Sequence, residues 1–412
     1  MRVAVIGAGI VGVSSAIWLR RLGADVTLIE RGDPGAAASW GNAGVLAASA
    51  VRPSLDAAAI RRAPGMLLDR DAPLFLRWAY LPKVLPWLLR AARHAGQAEV
   101  ARIGAALETL VTDAVESHEA LAKGTRAEAF LRRSDYVYAY QDMRAYTADA
   151  AALAIKARAG FPHERIEGRA VQEYDPALGP GIGCLAVMKD HGFIADPGAY
   201  VSALAQTFEA EGGMLWRAKA QHLVLEDGKV HGVIADGETR AYERVVVAAG
   251  LGSRALLAEA GLDLPLETER GYHLQLSDTA GGPRQPTMVA SGQFVATPMT
   301  DGTRLAGILE FGGTEAGPSR APFGLLRRQA AKAFPNLALG TAREWMGHRP
   351  ALPDSLPLLG EIGQSGLWGA VGHHHVGLTA GPKTGRLLAE ALMGRRPNVD
   401  LAPYAARRFG HG

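Results

Sequence analysis

The chain has 412 residues, 48% of them hydrophobic and 21% charged; single cores seldom grow past about 250–300 residues, so two domains are expected. Its 44 Lys and Arg against 41 Asp and Glu leave a net charge of +3, which argues against nucleic acid as the main partner. A lone cysteine, Cys184, excludes an internal disulfide framework and fits a reducing, cytoplasmic setting with the thiol packed in a core.

Arg2-Val-Ala-Val-Ile6 suits a buried parallel strand and breaks at Gly7-Ala-Gly-Ile-Val-Gly12, a G-x-G-x-x-G turn. Helical periodicity follows through Val13, Ala16, Ile17 and Leu19 to a stop at Gly23, and a second strand, 25–29, ends at Glu30. Gly7 permits the tight turn, Gly9 lets a pyrophosphate approach backbone N–H groups, and Gly12 lets helix and strand pack closely. Glu30, 18 residues after Gly12, is placed to accept hydrogen bonds from ribose hydroxyls, which disfavours NADP and leaves NAD or FAD. The apolar N-terminus could pass for a signal peptide, yet its spaced glycines and missing cleavage site assign it to the fold.

Residues 72–92, rich in Trp and Leu with interspersed Arg and Lys, are read as a buried helix pair broken by Pro82 and Pro86. The competing reading is a segment resting on the inner face of a membrane. Farther on come a strand at 134–140, a helix near 197–212, a hairpin over 221–233 turning at Asp227-Gly228, and a strand at 271–276. Three histidines, 373–375, precede a helix expected from Thr379 to Leu392, whose small residues Ala380, Gly381 and Gly385 would admit a ring system. If extended, adjacent imidazoles alternate faces, and no carboxylate or cysteine nearby completes a ligand set, so no metal is expected.

Ser39 with Asn42-Ala43-Gly44 resembles the post-fingerprint loop of the D-amino-acid oxidase-like flavoproteins, most closely bacterial D-amino-acid dehydrogenases of the small-subunit type. Three further stretches are similar to family motifs, in the family's order: 244–253 with Ala249, Gly250 and Gly252, then 345–360 with Arg349, then 372–379. Two departures stand out: Ala248-Ala249-Gly250 lacks the threonine common in the second glycine motif, and His374 and His375 are not fixed by the pattern.

The resemblance implies an α/β fold with a Rossmann-like FAD-binding domain on a parallel sheet and an α+β substrate domain on a mixed or antiparallel sheet. The FAD domain would comprise 1–50, 148–172, 196–266 and 344–412, and the substrate domain 51–147, 173–195 and 267–343. It further implies non-covalent FAD and oxidation of an amino acid's Cα–N bond by hydride transfer to flavin N5, with electrons passed to an acceptor such as a quinone. Cofactor contacts would be Gly7, Gly9, Ile10, Val11, Gly12, Glu30 and Arg31 at the opening turn, and Ser39, Asn42, Ala43 and Gly44 in the loop. Ala220, Ala249, Gly250 and Gly252 would add to them, as would Arg349, Gly372, His375, Val376, Gly377, Leu378 and Thr379 near the flavin. Arg349, whose planar fork suits a carboxylate, would clamp the substrate, Tyr272 would add a hydrogen bond to the same group, and His374 or His375 would reach the substrate. D-amino acids, including cyclic ones such as D-proline, are the expected substrates. Sarcosine or glycine oxidation and a flavin-bearing subunit of a hetero-oligomer are the alternatives.

Overall fold

In the strand Arg2–Ile6, Val3 and Val5 point to one face and Ala4 and Ile6 to the other, and both faces are buried in separate apolar cores. That is the condition of a central parallel strand covered on both sides. The computed structural model describes residues 1–53, 55–69, 71–277 and 280–410; the expected segments 51–147, 267–343 and 344–412 each include positions outside these ranges.

Six strands form the first sheet, in the order Leu358–Glu361, Leu367–Val371, Arg244–Val247, Arg2–Ile6, Asp25–Glu30, Met214–Arg217. All neighbours are parallel except the first pair. One face is covered by the helices Ile10–Arg21, Pro197–Ala210 and Gly377–Leu392. The other carries the hairpin Ala220–Glu226 and Lys229–Ala235, whose turn residues Asp227 and Gly228 both have positive φ, as expected from the sequence.

The second sheet has ten strands among the described residues and is mostly antiparallel. Near one end of it Glu267–Leu276 lies between the edge strand Ala342–Ala351 and Gly302–Phe311. This sheet takes in Ala342–Ala351 and His163–Glu167, stretches that the expected boundaries mostly give to the cofactor domain. Conversely, the helices Gln97–Val111 and Ala114–Ala122, expected in the substrate domain, pack against Gly377–Leu392 on the first sheet. Their buried faces, Ile103, Leu107 and Leu110 on one and Leu121 on the other, find their partners there.

The stretch 72–92 is not a helix pair. Leu74–Leu76 is a strand, and a single helix, Leu81–Ala92, runs through Pro86, with Pro82 in its first turn where the missing N–H costs little. Among the described residues no helix is long and apolar enough to cross a membrane. Gly381 and Gly385 also serve another purpose than the one expected. A Cβ on Gly381 would stand 2.9 Å from Ile10, and one on Gly385 2.6 Å from the backbone of Ser14 and Ser15, so these residues let the closing helix press against the opening one.

Candidate active site

The opening turn is built as its glycines require. Gly7 has φ +103 and a Cβ there would lie 2.6 Å from the Ala248 carbonyl; a Cβ on Gly12 would collide with the Gly7 carbonyl. Glu30 braces this turn, its carboxylate accepting from the Ala8 N–H at 2.7 Å and from the Gly32 N–H at 3.1 Å. Ser39 reaches the start of the helix Ile10–Arg21, its Oγ accepting from the Ile10 N–H at 3.0 Å.

The loop after Ser39 is held by side chains of the second sheet. Arg304 donates to the carbonyls of Trp40 at 2.9 Å and Asn42 at 2.7 Å, and His273 Nδ1 donates to the carbonyl between them, Gly41, at 3.0 Å. Within the loop the Asn42 side chain accepts from the Gly44 N–H at 2.8 Å, and Gly44 takes φ +80. Burial lowers Arg304 only to about 10, leaving it a cation at neutral pH, and pushes His273 to about 3, leaving it neutral. Neither residue was assigned a role from sequence, and a buried arginine on a strand was the signal that could have marked one.

A cavity of about 380 Å³ has walls from both sheets. It brings together Gly9, Ile10 and Val11 at one helix start, Ser39, Asn42 and Ala43 from the loop, and Gly372 through Thr379 at the start of the closing helix. Arg349, Glu269, Gly271 and Trp345 form the wall from the second sheet. Of the expected cofactor residues, Gly7, Gly12, Glu30, Arg31, Gly44, Ala220, Ala249, Gly250 and Gly252 are not in this wall. Gly7, Gly12, Glu30 and Gly44 shape the turn and loop that are, and Ala249 to Gly252 lie just behind the wall residue Ala248.

Two helix N-termini thus open onto one cavity, and neither has a cap from the side chain at its own N-cap position, Gly9 or Val376. Unmatched N–H groups and the positive end of the helix dipole favour an anionic group at each. An extended dinucleotide, its pyrophosphate at the first and an electron-rich ring at the second, fits this spacing of donors, and the glycine turn leaves it room.

Arg349 lies across Gly271, where a Cβ would come within 2.5 Å of a guanidinium nitrogen. Among the described residues no hydrogen bond or ion pair takes up this guanidinium, although it belongs to the cavity wall. A planar, unspent fork in a cavity is suited to a carboxylate.

Tyr272 contributes to the cavity wall, but its hydroxyl is already engaged, donating to Glu310 at 2.5 Å and accepting from the Ser319 N–H at 3.1 Å, and its ring packs on Phe323. Side chains alternate along the strand Glu267–Leu276, so Glu269, Gly271 and His273 share the opposite face, of which Glu269 and Gly271 reach the cavity wall. His273 stacks there on Trp345 with ring centroids 4.9 Å apart.

The histidines are not extended either. His374 to Val376 form a tight helical turn, with His374 in the left-handed region at φ +51. His373 is buried and bonds Thr384 Oγ1 at 3.1 Å, His374 Nε2 donates to the Leu352 carbonyl at 2.9 Å, and His375 is exposed toward the cavity. Thr379 lines the cavity, while its hydroxyl faces the Val45 carbonyl at 3.4 Å.

A family model described as DAO, FAD dependent oxidoreductase, matches residues 2–391. The D-amino-acid oxidase of Bradyrhizobium diazoefficiens is 38% identical over 99% of this chain and 98% of its own length. D-amino acid dehydrogenase 2 of Pseudomonas aeruginosa is 32% identical over 98% of each chain. Glycine oxidase from Bacillus cereus shares the fold, with a TM-score of 0.73 at 20% identity over 96% of both chains. The glycine turn, the paired helix starts and a match spanning nearly all of its length show that the chain belongs to the DAO family of FAD-dependent oxidoreductases.

Proposed function

We propose that this protein oxidises the Cα–N bond of a D-amino acid and acts as a dehydrogenase. The observation that carries the reading is Arg349, a guanidinium in the cavity wall that no acceptor among the described residues engages. Gripped by two parallel N–H···O bonds, a substrate carboxylate would fix the direction of the Cα–H bond. FAD, when bound, supplies the two-electron acceptor. Loss of two electrons and the Cα hydrogen leaves a C=N bond, which water hydrolyses to a 2-oxo acid, with release of ammonia from a primary amine and with the nitrogen kept on the chain of a cyclic substrate. Names of relatives support the D-configuration, since both the 38% and the 32% identical proteins carry it.

The remaining wall, with Tyr136, Met288, Val295 and Ile308 and a single amide at Gln293, supports a compact uncharged side chain. Cyclic D-imino acids such as D-proline or hydroxy-D-proline meet that description. Anaerobic mixing of the holoprotein with a panel of D- and L-amino acids, sarcosine and glycine tests the reading by bleaching of the flavin. Bleaching by L-amino acids or glycine alone would overturn it.

A quinone acceptor and a peripheral membrane contact find support in one surface. Trp78, Leu85 and Leu89 are 62%, 44% and 58% exposed, the two leucines share a helix face, and Lys83, Arg90 and Arg93 flank them in solvent. Exposed apolar residues ringed by cations suit an anionic lipid surface. Cosedimentation with vesicles containing anionic lipid should be lost in Leu85→Asp/Leu89→Asp; equal sedimentation of both forms would remove the membrane contact.

A further inference from the structure

Glu269 is a buried acid that amino-acid oxidation does not by itself require. It is 2% exposed, reaches the cavity wall, and stands in register directly opposite Arg349 across an antiparallel strand pair. Opposite charges so placed ordinarily pair with each other. Among the described residues, however, no ion pair within 4.0 Å joins these two.

The two side chains lean apart. Arg349 slants along the sheet onto Gly271, the position on the same face where no side chain stands in its way. Glu269 turns instead to His374, its Oε2 lying 3.5 Å from Nδ1. That ring is already oriented, because Nε2 donates to the Leu352 carbonyl at 2.9 Å, and Nδ1 has no hydrogen-bond partner among the described residues, so the acid is the charge it faces.

We propose that Glu269, Gly271 and His374 are positioning residues that keep Arg349 open for the substrate: glycine makes room for the guanidinium, and the imidazole occupies the acid that would otherwise neutralise it. The proposal rests on Arg349 as the carboxylate clamp. Its electrostatics are consistent. Burial alone would disfavour both charged forms, yet Glu269 holds His374 protonated above its usual range, and His374, Arg349 and His375 together hold Glu269 below the usual carboxylate range. The other charged or titratable groups facing His374 are His373 and His375 on its own turn and Asp354 from the adjoining loop, which is tied to Arg408 at 3.0 Å.

Three variants of the holoenzyme test this, read as KM and kcat for an amino acid that bleaches the flavin. His374→Asn keeps a residue that tolerates positive φ but removes the charge. It should raise KM about tenfold with kcat little changed, in the range of coupling between neighbouring charges. Gly271→Ala should do the same by pushing the guanidinium off its resting place. Glu269→Gln should cancel most of either increase when combined with it, since no acid is left to capture Arg349. In the parent enzyme KM should rise as pH climbs through the raised pKa of His374, and Glu269→Gln should flatten that rise. Additive effects in the double variants, or a Glu269→Gln that raises KM by itself, would overturn the proposal and make the acid a direct contact of the substrate amine. If Arg349→Ala leaves KM unchanged, the clamp itself fails, a result separate from non-coupling among the other three.

Discussion

Replacing Arg304 by Leu should weaken FAD without touching any residue expected to meet the flavin through its side chain. The guanidinium donates to two loop carbonyls, Trp40 and Asn42, and to the Gln275 side chain. A hydrogen bond to a charged group contributes about 1.5–3 kcal/mol, and water from the cavity will re-satisfy part of what is lost. The two loop contacts at the lower end give roughly 3 kcal/mol, which is about a hundredfold in Kd if the loop orders only when FAD binds. Lysine at this position can reach one carbonyl, so Arg304→Lys should cost about tenfold. Titration of apoprotein with FAD, followed by quenching of flavin fluorescence, measures both. A Kd for Arg304→Leu within twofold of the parent would refute the idea that the second sheet holds the flavin loop in place.

Arg349→Ala should lower kcat/KM by about 10²–10⁴, the equivalent of two charge-assisted hydrogen bonds, while FAD stays bound; Arg349→Lys should recover only part, and stopped-flow reduction reads both. Gly385→Val should destabilise the fold by about 1–3 kcal/mol in urea unfolding, because its side chain meets backbone of the opening helix that cannot yield; an unchanged midpoint would contradict that packing. Stability should also fall between pH 6.5 and about 4. Burial pushes His118, His191 and His373 to about 4, so the unfolded chain takes up protons first as pH drops through that window. Urea midpoints at pH 7, 5.5 and 4.5 check it, and a flat profile would mean these rings are not kept neutral.

The opening strand, glycine turn, helix and acid were legible because each depends on neighbours in sequence. Steric room at Gly7 and Gly12, apolar period and a short turn are local properties, and the hairpin at Asp227-Gly228 follows from the same kind of signal. Alternation likewise told that Tyr272 and His273 point to opposite faces. It could not tell which face meets the cavity, since every residue of that strand after Glu267 is buried and no amphipathic pattern distinguishes the sides. Which face became the site was decided by Trp345, Arg349 and the loop at 39–44, all brought in from elsewhere in the chain. In the same way, small residues at 381 and 385 announce a close approach but not its partner. The helices at 97–122 found their partner in a helix more than 250 residues later. Periodicity records that a surface will be covered; only the folded chain settles by what, and that choice is what left Arg349 without an ion-pair partner among the described residues and Glu269 against His374.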